Sequence, residues 1–299
     1  MNASSHASPT KVVLDVLTTE GPHWVGDGFP VRSLFSYLDK RHDLSPFLLL
    51  DHAGPEHFEP TDRRRGVGKH PHRGFETVSI VYDGEAEHRD STGAGGTIGP
   101  GDVQWMTAGS GILHSERHSP TFAQRGGTFE MVQLWVNLPA AHKMTAPAYQ
   151  RIEREAIPVV PLPDRGGELR VIAGAFGAHE GPARTFSPID VWDLRLDAGG
   201  RASLDFEAGR TALLAVLRGT VTMGDTPIGG GQVGVLDRGA GRAVLTSEGG
   251  ARVLVLSGEP LGDPVVGHGP FVMTSRAEIE QAVRDLEAGR FVREPEASR

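Results

Sequence analysis

The chain has 299 residues, 38% of them hydrophobic, a formal net charge of −8 and no cysteine. Without cysteine there are no disulfides, thiolate nucleophiles or zinc–sulfur centres, so any metal must be held by nitrogen and oxygen. Basic residues are scattered and the one run, Arg63-Arg64-Arg65, reads as a solvated turn; direct nucleic-acid binding is not expected, because phosphate neutralisation carries most of that affinity.

Residues 1–10 (MNASSHASPT) read as a flexible polar tail without the apolar core of a secretion signal, and no apolar run reaches membrane-spanning length. A soluble, cytoplasmic chain is therefore expected. Short β-rich runs then recur: KVVLDVLT, ETVSIVYD, GDVQWMT, MVQLWVNL, LRVIAGAF, VWDLRLDA, LLAVLRGTVTM and ARVLVLSG, punctuated by 40 glycines and 21 prolines. Such spacing predicts an all-β sandwich or barrel rather than βαβ units. The Pro/Gly-rich stretch Pro158 to Gly167 reads as a linker. Near the end, Ile279, Val283 and Leu286 fall at helical spacing, Ser275 and Glu278 form a capping box and Gly289 supplies a stop. A helix from Arg276 to Leu286 is predicted, followed by a tail over 291–299.

The segment Val81 to Gly109 resembles Val216 to Gly239, with the same Gly-to-Gly spacing from Gly101 to Gly109 and from Gly231 to Gly239. A tandem repeat of two antiparallel β-domains accounts for the length. The predicted division is 11–150 for the first and 151–290 for the second, the latter carrying the helix.

The 13 histidines are uneven: none lies between His179 and His268, while the first repeat holds His70, His72, His88, His114 and His118. Residues i and i+2 of a strand share a face. His70 and His72 therefore project together with Pro71 turned away, and so do His114 and Glu116 across Ser115. On adjacent strands these pairs converge into three imidazoles and a carboxylate, a donor set for iron, nickel, copper, manganese or zinc. Four protein ligands leave one or two positions free for substrate or dioxygen. Glu76, four residues after His72, is an alternative fourth ligand or a hydrogen-bond acceptor for an imidazole N–H. His88, His118 and His142 read as solvent-facing. Aligning Gly239 on Gly109 places Val244 and Thr246 where His114 and Glu116 stand, so the second repeat is expected to be metal-free.

At these residues the sequence resembles a known family. HPHRGFETV, GPGDVQWMTAG, GILHSE, QLWVNLP, KMTAPAYQ and GPFVM are similar to the signature blocks of the pirin family of the cupin superfamily, from about Val13 to Phe291. The resemblance implies two tandem antiparallel cupin (jelly-roll) β-barrels with a C-terminal helix, and one divalent transition metal in the first barrel only. Carried over residue by residue, the ligands are His70, His72, His114 and Glu116; the family's pattern of a Glu two after the last His favours Glu116 over Glu76. Fe(II) is the first choice of metal, with Ni, Cu, Mn or Zn as alternatives. The implied activity is quercetin 2,3-dioxygenase, in which O2 opens a flavonol with loss of carbon monoxide. Glu116 would then act as the catalytic base, with Phe75, Trp105 and Met106 as pocket walls. The other role the resemblance implies is a metal- or redox-sensing regulator that binds a protein partner without turnover. A monomer is expected. The chain departs from the family at Val67 to Lys69, Ser110 and Arg117, all placed near the pocket mouth.

Overall fold

A computed structural model describes residues 9–19, 21–164 and 166–292. The strands pair antiparallel throughout the named ladders and form two compact all-β units of jelly-roll type. One unit comprises Glu20–Ala156 with Leu261–Arg299; the other comprises Met1–Thr19 with Ile157–Pro260. The contacts therefore do not follow a contiguous cut at residue 150. Strand Val13–Thr18 pairs with Gln232–Leu236 in the second unit, and helix Arg276–Glu287 belongs to the first. No helix among the described residues is long and apolar enough to cross a membrane.

In the first unit a seven-stranded sheet runs in the order Ala148–Ile152, Val103–Thr107, Phe75–Asp83, Gly127–Asn137, Phe47–Phe58, Phe29–Ser36, His23–Val25. A four-stranded sheet runs Gly66–His72, Ile112–His118, Ala86–Asp90, Gly95–Ile98. Sequence reading misses the short helix Pro120–Arg125, which Ser119 caps by accepting from Phe122 N, with Pro120 at the first position. Its local signals were the Ser-Pro pair at the start and Gly126 just past the end. The arginine run is not a free turn: Arg64 is half-buried and ion-paired with Glu87, and Arg65 lies 5.3 Å from the Phe58 ring centre.

In the second unit the 13-residue strand Thr211–Met223 pairs with Ala251–Gly258 and Gln232–Leu236 along its first part, then with Thr226–Gly229 and Gly241–Ser247. Burial alternates along Gly200–Phe206, where Ala202, Leu204 and Phe206 point inward. They join Leu169, Trp192, Leu214, Val216, Leu245 and Val255 in one apolar core, the alternation expected of a half-buried strand. In Gly241–Ser247 the inward residues are Ala243 and Leu245, whereas Thr246 is exposed. The repeat alignment is thus one residue out, and a one-residue slip exchanges the faces of a strand. The corrected positions are still apolar. The expected linker is in part a strand: Val159–Leu162 pairs with Gly167–Ala173. The expected N-terminal tail is tied down where it is described, because Arg242 N donates to Pro9 O at 2.7 Å and Lys11 N to Arg242 O at 3.0 Å.

The C-terminal segment packs into the first unit. Ser275 and Glu278 make the full capping box, and Ile279 and Ala282 bury against Phe271, Met273 and Phe291, with Leu113 beside them. Phe291, expected in a tail, is 2% exposed; residues 293–299 of that tail lie outside the described residues. Gly74, at φ +89, sits so close to this segment that a Cβ would overlap Val272 O, hence the glycine. Arg73 is 1% exposed, pairs with Asp285 at 2.8 Å and stacks 4.5 Å from the Phe291 ring centre. Removing one partner of a buried pair leaves the other uncompensated. Arg73→Ala is expected to cost about 3 kcal/mol, read as a lower urea midpoint with the fold retained.

Candidate metal centre

The strands Gly66–His72 and Ile112–His118 are adjacent and antiparallel, with His70 opposite His114 and His72 opposite Ile112. Ile112, His114, Glu116 and His118 are buried in strict alternation. A register irregularity between His114 and Glu116 sets Glu116 opposite Val67 and re-aims the side chains that follow. The three ring centres lie 4.8 Å (His70–His72), 4.2 Å (His70–His114) and 4.8 Å (His72–His114) apart. Each ring has Nδ1 engaged. His70 Nδ1 donates to Gly68 O at 2.8 Å and His72 Nδ1 to Pro270 O at 3.4 Å, since a carbonyl only accepts. His114 Nδ1 lies 3.3 Å from His88 Nδ1.

That leaves each Nε2 as the nitrogen open to a ligand, and His114 Nε2 is buried with no hydrogen-bond partner. An orphaned buried nitrogen costs free energy unless something binds it, and a divalent cation suits it. Burial and the neighbouring His70 push the His72 imidazole down to about 3. Burial, then His72, His70 and His88, hold His114 well below its ordinary value. Both rings are unprotonated at neutral pH, the form a metal requires.

His70, His72 and His114 form one cluster whose donor atoms lie within 4.8 Å of one another; Glu116 falls in a second such cluster with His114 and His88. The structure therefore brings three of the four expected ligands into one tight group and sets the fourth beside it. Among the described residues neither cluster draws on the second unit. Glu116 Oε2 accepts from Gln133 Nε2 at 2.8 Å; Oε1 accepts from Ser79 Oγ at 3.3 Å and Gln104 Nε2 at 3.4 Å. These donors belong to a polar row running in register across five strands: Ser33, Asp51, Gln133, Ser79, Gln104. Two residues along, the row is apolar, with Val31, Ala53, Met131 and Val81 aligned. Glu76 is outside both clusters. It sits on the opposite face of its strand from Ser79, accepts from Thr107 Oγ1 at 2.7 Å, and burial raises it to about 7.

A cavity of about 370 Å³ opens over the cluster. His70, His72, Glu116, Gln133 and Asp51 supply its polar lining, and Phe29, Val31, Val67, Met131 and Trp135 its apolar walls. Of the expected walls, Phe75 packs on His72 and Trp135 (ring centres 5.1 and 4.2 Å away) without lining the cavity, and Trp105 and Met106 are fully buried elsewhere. Sequence reading passes over Met131, Gln133 and Trp135, although their i, i+2, i+4 spacing in one strand marked a shared face.

Two histidines expected in solvent are core residues. His88 is 1% exposed, bonded to Asp90 and Gln104. His118 is 2% exposed among Phe29, Phe58, Phe122 and Phe129, with Nε2 donating to Gly28 O at 3.0 Å. His52, which had no partner in sequence, is buried against Glu130 at 2.8 Å. His142 is exposed as expected.

Two antiparallel jelly rolls, one of which carries an imidazole cluster beneath a cavity, define the chain as a two-domain cupin. The family model Pirin matches residues 28–136 and that of the Pirin C-terminal cupin domain matches residues 191–292. The chain belongs to the pirin family. It is 60% identical over 283 residues to a Pseudomonas aeruginosa protein named "Putative quercetin 2,3-dioxygenase", covering 95% of this chain and 99% of that one. It is 36% identical over 286 residues to human Pirin, covering 93% of each. A crystal structure of quercetin 2,3-dioxygenase from Acinetobacter baumannii superposes with a TM-score of 0.92 at 52% identity, covering 95% of this chain and 99% of that one.

Proposed function

We propose that this pirin is a metal-dependent dioxygenase that opens flavonols such as quercetin with O2. The observation that carries the reading is the convergence of three imidazoles, one with an orphaned Nε2, beside a largely apolar cavity that His70 and His72 line. The names of its relatives support the same activity. His70, His72 and His114, completed by Glu116, would hold one divalent ion; the donor set suits iron, nickel, copper, manganese or zinc, and the family resemblance makes Fe(II) the first choice. Such an ion supplies Lewis acidity toward the flavonol 3-oxygen and 4-carbonyl.

The remaining work falls to the chain. The Glu116 carboxylate, oriented by Gln133, Ser79 and Gln104, accepts the 3-hydroxyl proton as general base. Phe29, Val31, Met131 and Trp135 pack on the flat rings and keep water from the exposed carbanion-like carbon. One O2 enters and one CO leaves for each ring opened. Protein loaded separately with Fe(II), Ni(II), Cu(II) and Mn(II) is expected to consume quercetin and O2 in equal amounts with at least one of them. Absence of flavonol and oxygen consumption with all four overturns the reading.

Asp51 sets a preference within this pocket. Its Oδ1 accepts from Ser33 Oγ at 2.6 Å, it lines the cavity, and burial raises its carboxyl above the ordinary range. A ring hydroxyl is a donor that such a carboxylate would take. Asp51→Leu is expected to lower kcat/KM for quercetin about tenfold, the worth of one good hydrogen bond. For 3-hydroxyflavone, which lacks the other hydroxyls, kcat/KM should hardly change.

A further inference from the structure

His70 and His72 have backbone carbonyls behind them, and a carbonyl leaves no choice about where the proton sits. His114 has a second histidine behind it, and the proton's position must come from somewhere else. The neighbouring side chains supply it. Glu116 is acceptor-only, and Gln104 Nε2 lies 3.4 Å from its Oε1; Gln104 Oε1 meanwhile accepts from Tyr149 Oη at 3.3 Å. The Glu116 contact fixes which end of the amide is nitrogen, and the Tyr149 hydroxyl, able to donate or accept, then donates to the other end. The same Nε2 lies 3.1 Å from His88 Nδ1. An amide nitrogen donates and cannot accept, so His88 Nδ1 is a bare lone pair. The His88 proton is then on Nε2, donated to Asp90 Oδ2 at 3.0 Å, while Asp90 Oδ1 is held by the Thr92 amide at 2.8 Å and hydroxyl at 2.6 Å. Facing a lone pair at 3.3 Å, His114 Nδ1 must carry its proton, and His114 Nε2 is left bare. Tyr149 stacks on His88 with ring centres 5.0 Å apart and planes at 16°, which holds the ring orientation. His88, Gln104 and His114 are each 1% exposed, so water does not supply an alternative partner.

We infer that His88, backed by Asp90 and Gln104, is a positioning residue that locks His114 in the Nδ1–H tautomer and so presents a bare Nε2 to the metal site. The inference rests on the metal reading of the three-histidine cluster and is independent of whether a flavonol is the substrate. Hydrogen-bonded partners behind a ligating histidine raise its affinity by fixing ring and tautomer. The other orientation of the chain, with the proton on His114 Nε2, would set two imidazole lone pairs against each other at 3.3 Å and leave a buried N–H without a hydrogen-bond partner.

The test begins with metal-free, 15N-labelled protein, in which long-range 1H–15N correlations of the imidazoles distinguish the tautomers. Wild type is expected to show His114 as Nδ1–H. His88→Phe keeps the stack on Tyr149 and removes the acceptor; it should shift His114 toward Nε2–H. It should also weaken Ni(II) binding, measured by chelator competition, about 10–100-fold. His88→Gln restores an acceptor and should hold Ni(II) within about threefold of wild type. A wild-type His114 in the Nε2–H form overturns the inference even if His88→Phe fails to fold. So does a folded His88→Phe with tautomer and Ni(II) affinity unchanged. If the tautomers behave as stated yet wild type binds no Ni(II), Fe(II) or Cu(II), the lock stands and the metal reading of the cluster falls.

Discussion

His114→Ala is expected to leave a folded protein that no longer retains a divalent metal. The ring is the one shared by both donor clusters and lies within 5.2 Å, centre to centre, of His70, His72 and His88. Its loss removes one of three converging nitrogens and leaves His88 Nδ1 facing a void. Because ligand bonds supply most of the free energy of a metal site, affinity should fall about a thousandfold or more. His114 is 1% exposed, so the truncation also leaves a cavity, and the metal-free protein should lose about 2–3 kcal/mol in urea unfolding while still folding. Metal content after dialysis, read beside flavonol turnover, checks the outcome. A variant that keeps one metal per chain and full turnover would contradict the proposed site; loss of metal with loss of turnover would remove support for a purely sensory role.

Glu76→Gln should act in the opposite sense and on stability alone. Burial raises the Glu76 carboxyl from 4.5 to about 7, against the opposing hydrogen bond from Thr107. A group whose folded value is raised binds its proton more tightly when folded. Its contribution is therefore complete below the unfolded value of 4.5, declines as pH rises, and is lost above about 7. The change amounts to about 3 kcal/mol across that window. Glutamine keeps an acceptor for Thr107 and has no charge to bury. The metal-free variant should match wild type near pH 4.5 and exceed it by up to about 3 kcal/mol at pH 8. Urea midpoints across that range decide it; parallel pH profiles for the two proteins would show that Glu76 is not the titrating group.

Several features were legible without a structure because they are local. The alternation His70/His72 and His114/Glu116 states which side chains share a face of a strand, and the adjacency of the two strands then places three imidazoles together. The capping box at Ser275 and Glu278 is closed within four residues. The repeat alignment found the second β-unit but was one residue out along Gly241–Ser247, where Ala243 and Leu245 face the core. The family's motifs carried the cupin architecture as a whole.

What the sequence by itself determined, then, was the chemistry available and the face on which each donor lies; which partner each donor meets was decided only by the tertiary structure. Glu116 is turned toward Gln133, Ser79 and Gln104, and Glu76 away from the site, because register across five strands aligns one polar row. His88 and His118 are core rather than surface because their neighbours come from other strands. Pro270, far along the chain, supplies the carbonyl behind His72 because the C-terminal segment packs in the first unit. Pleat alternation is written in two or three consecutive residues. Register and long-range docking depend on free-energy differences summed over whole sheets, which no local pattern contains.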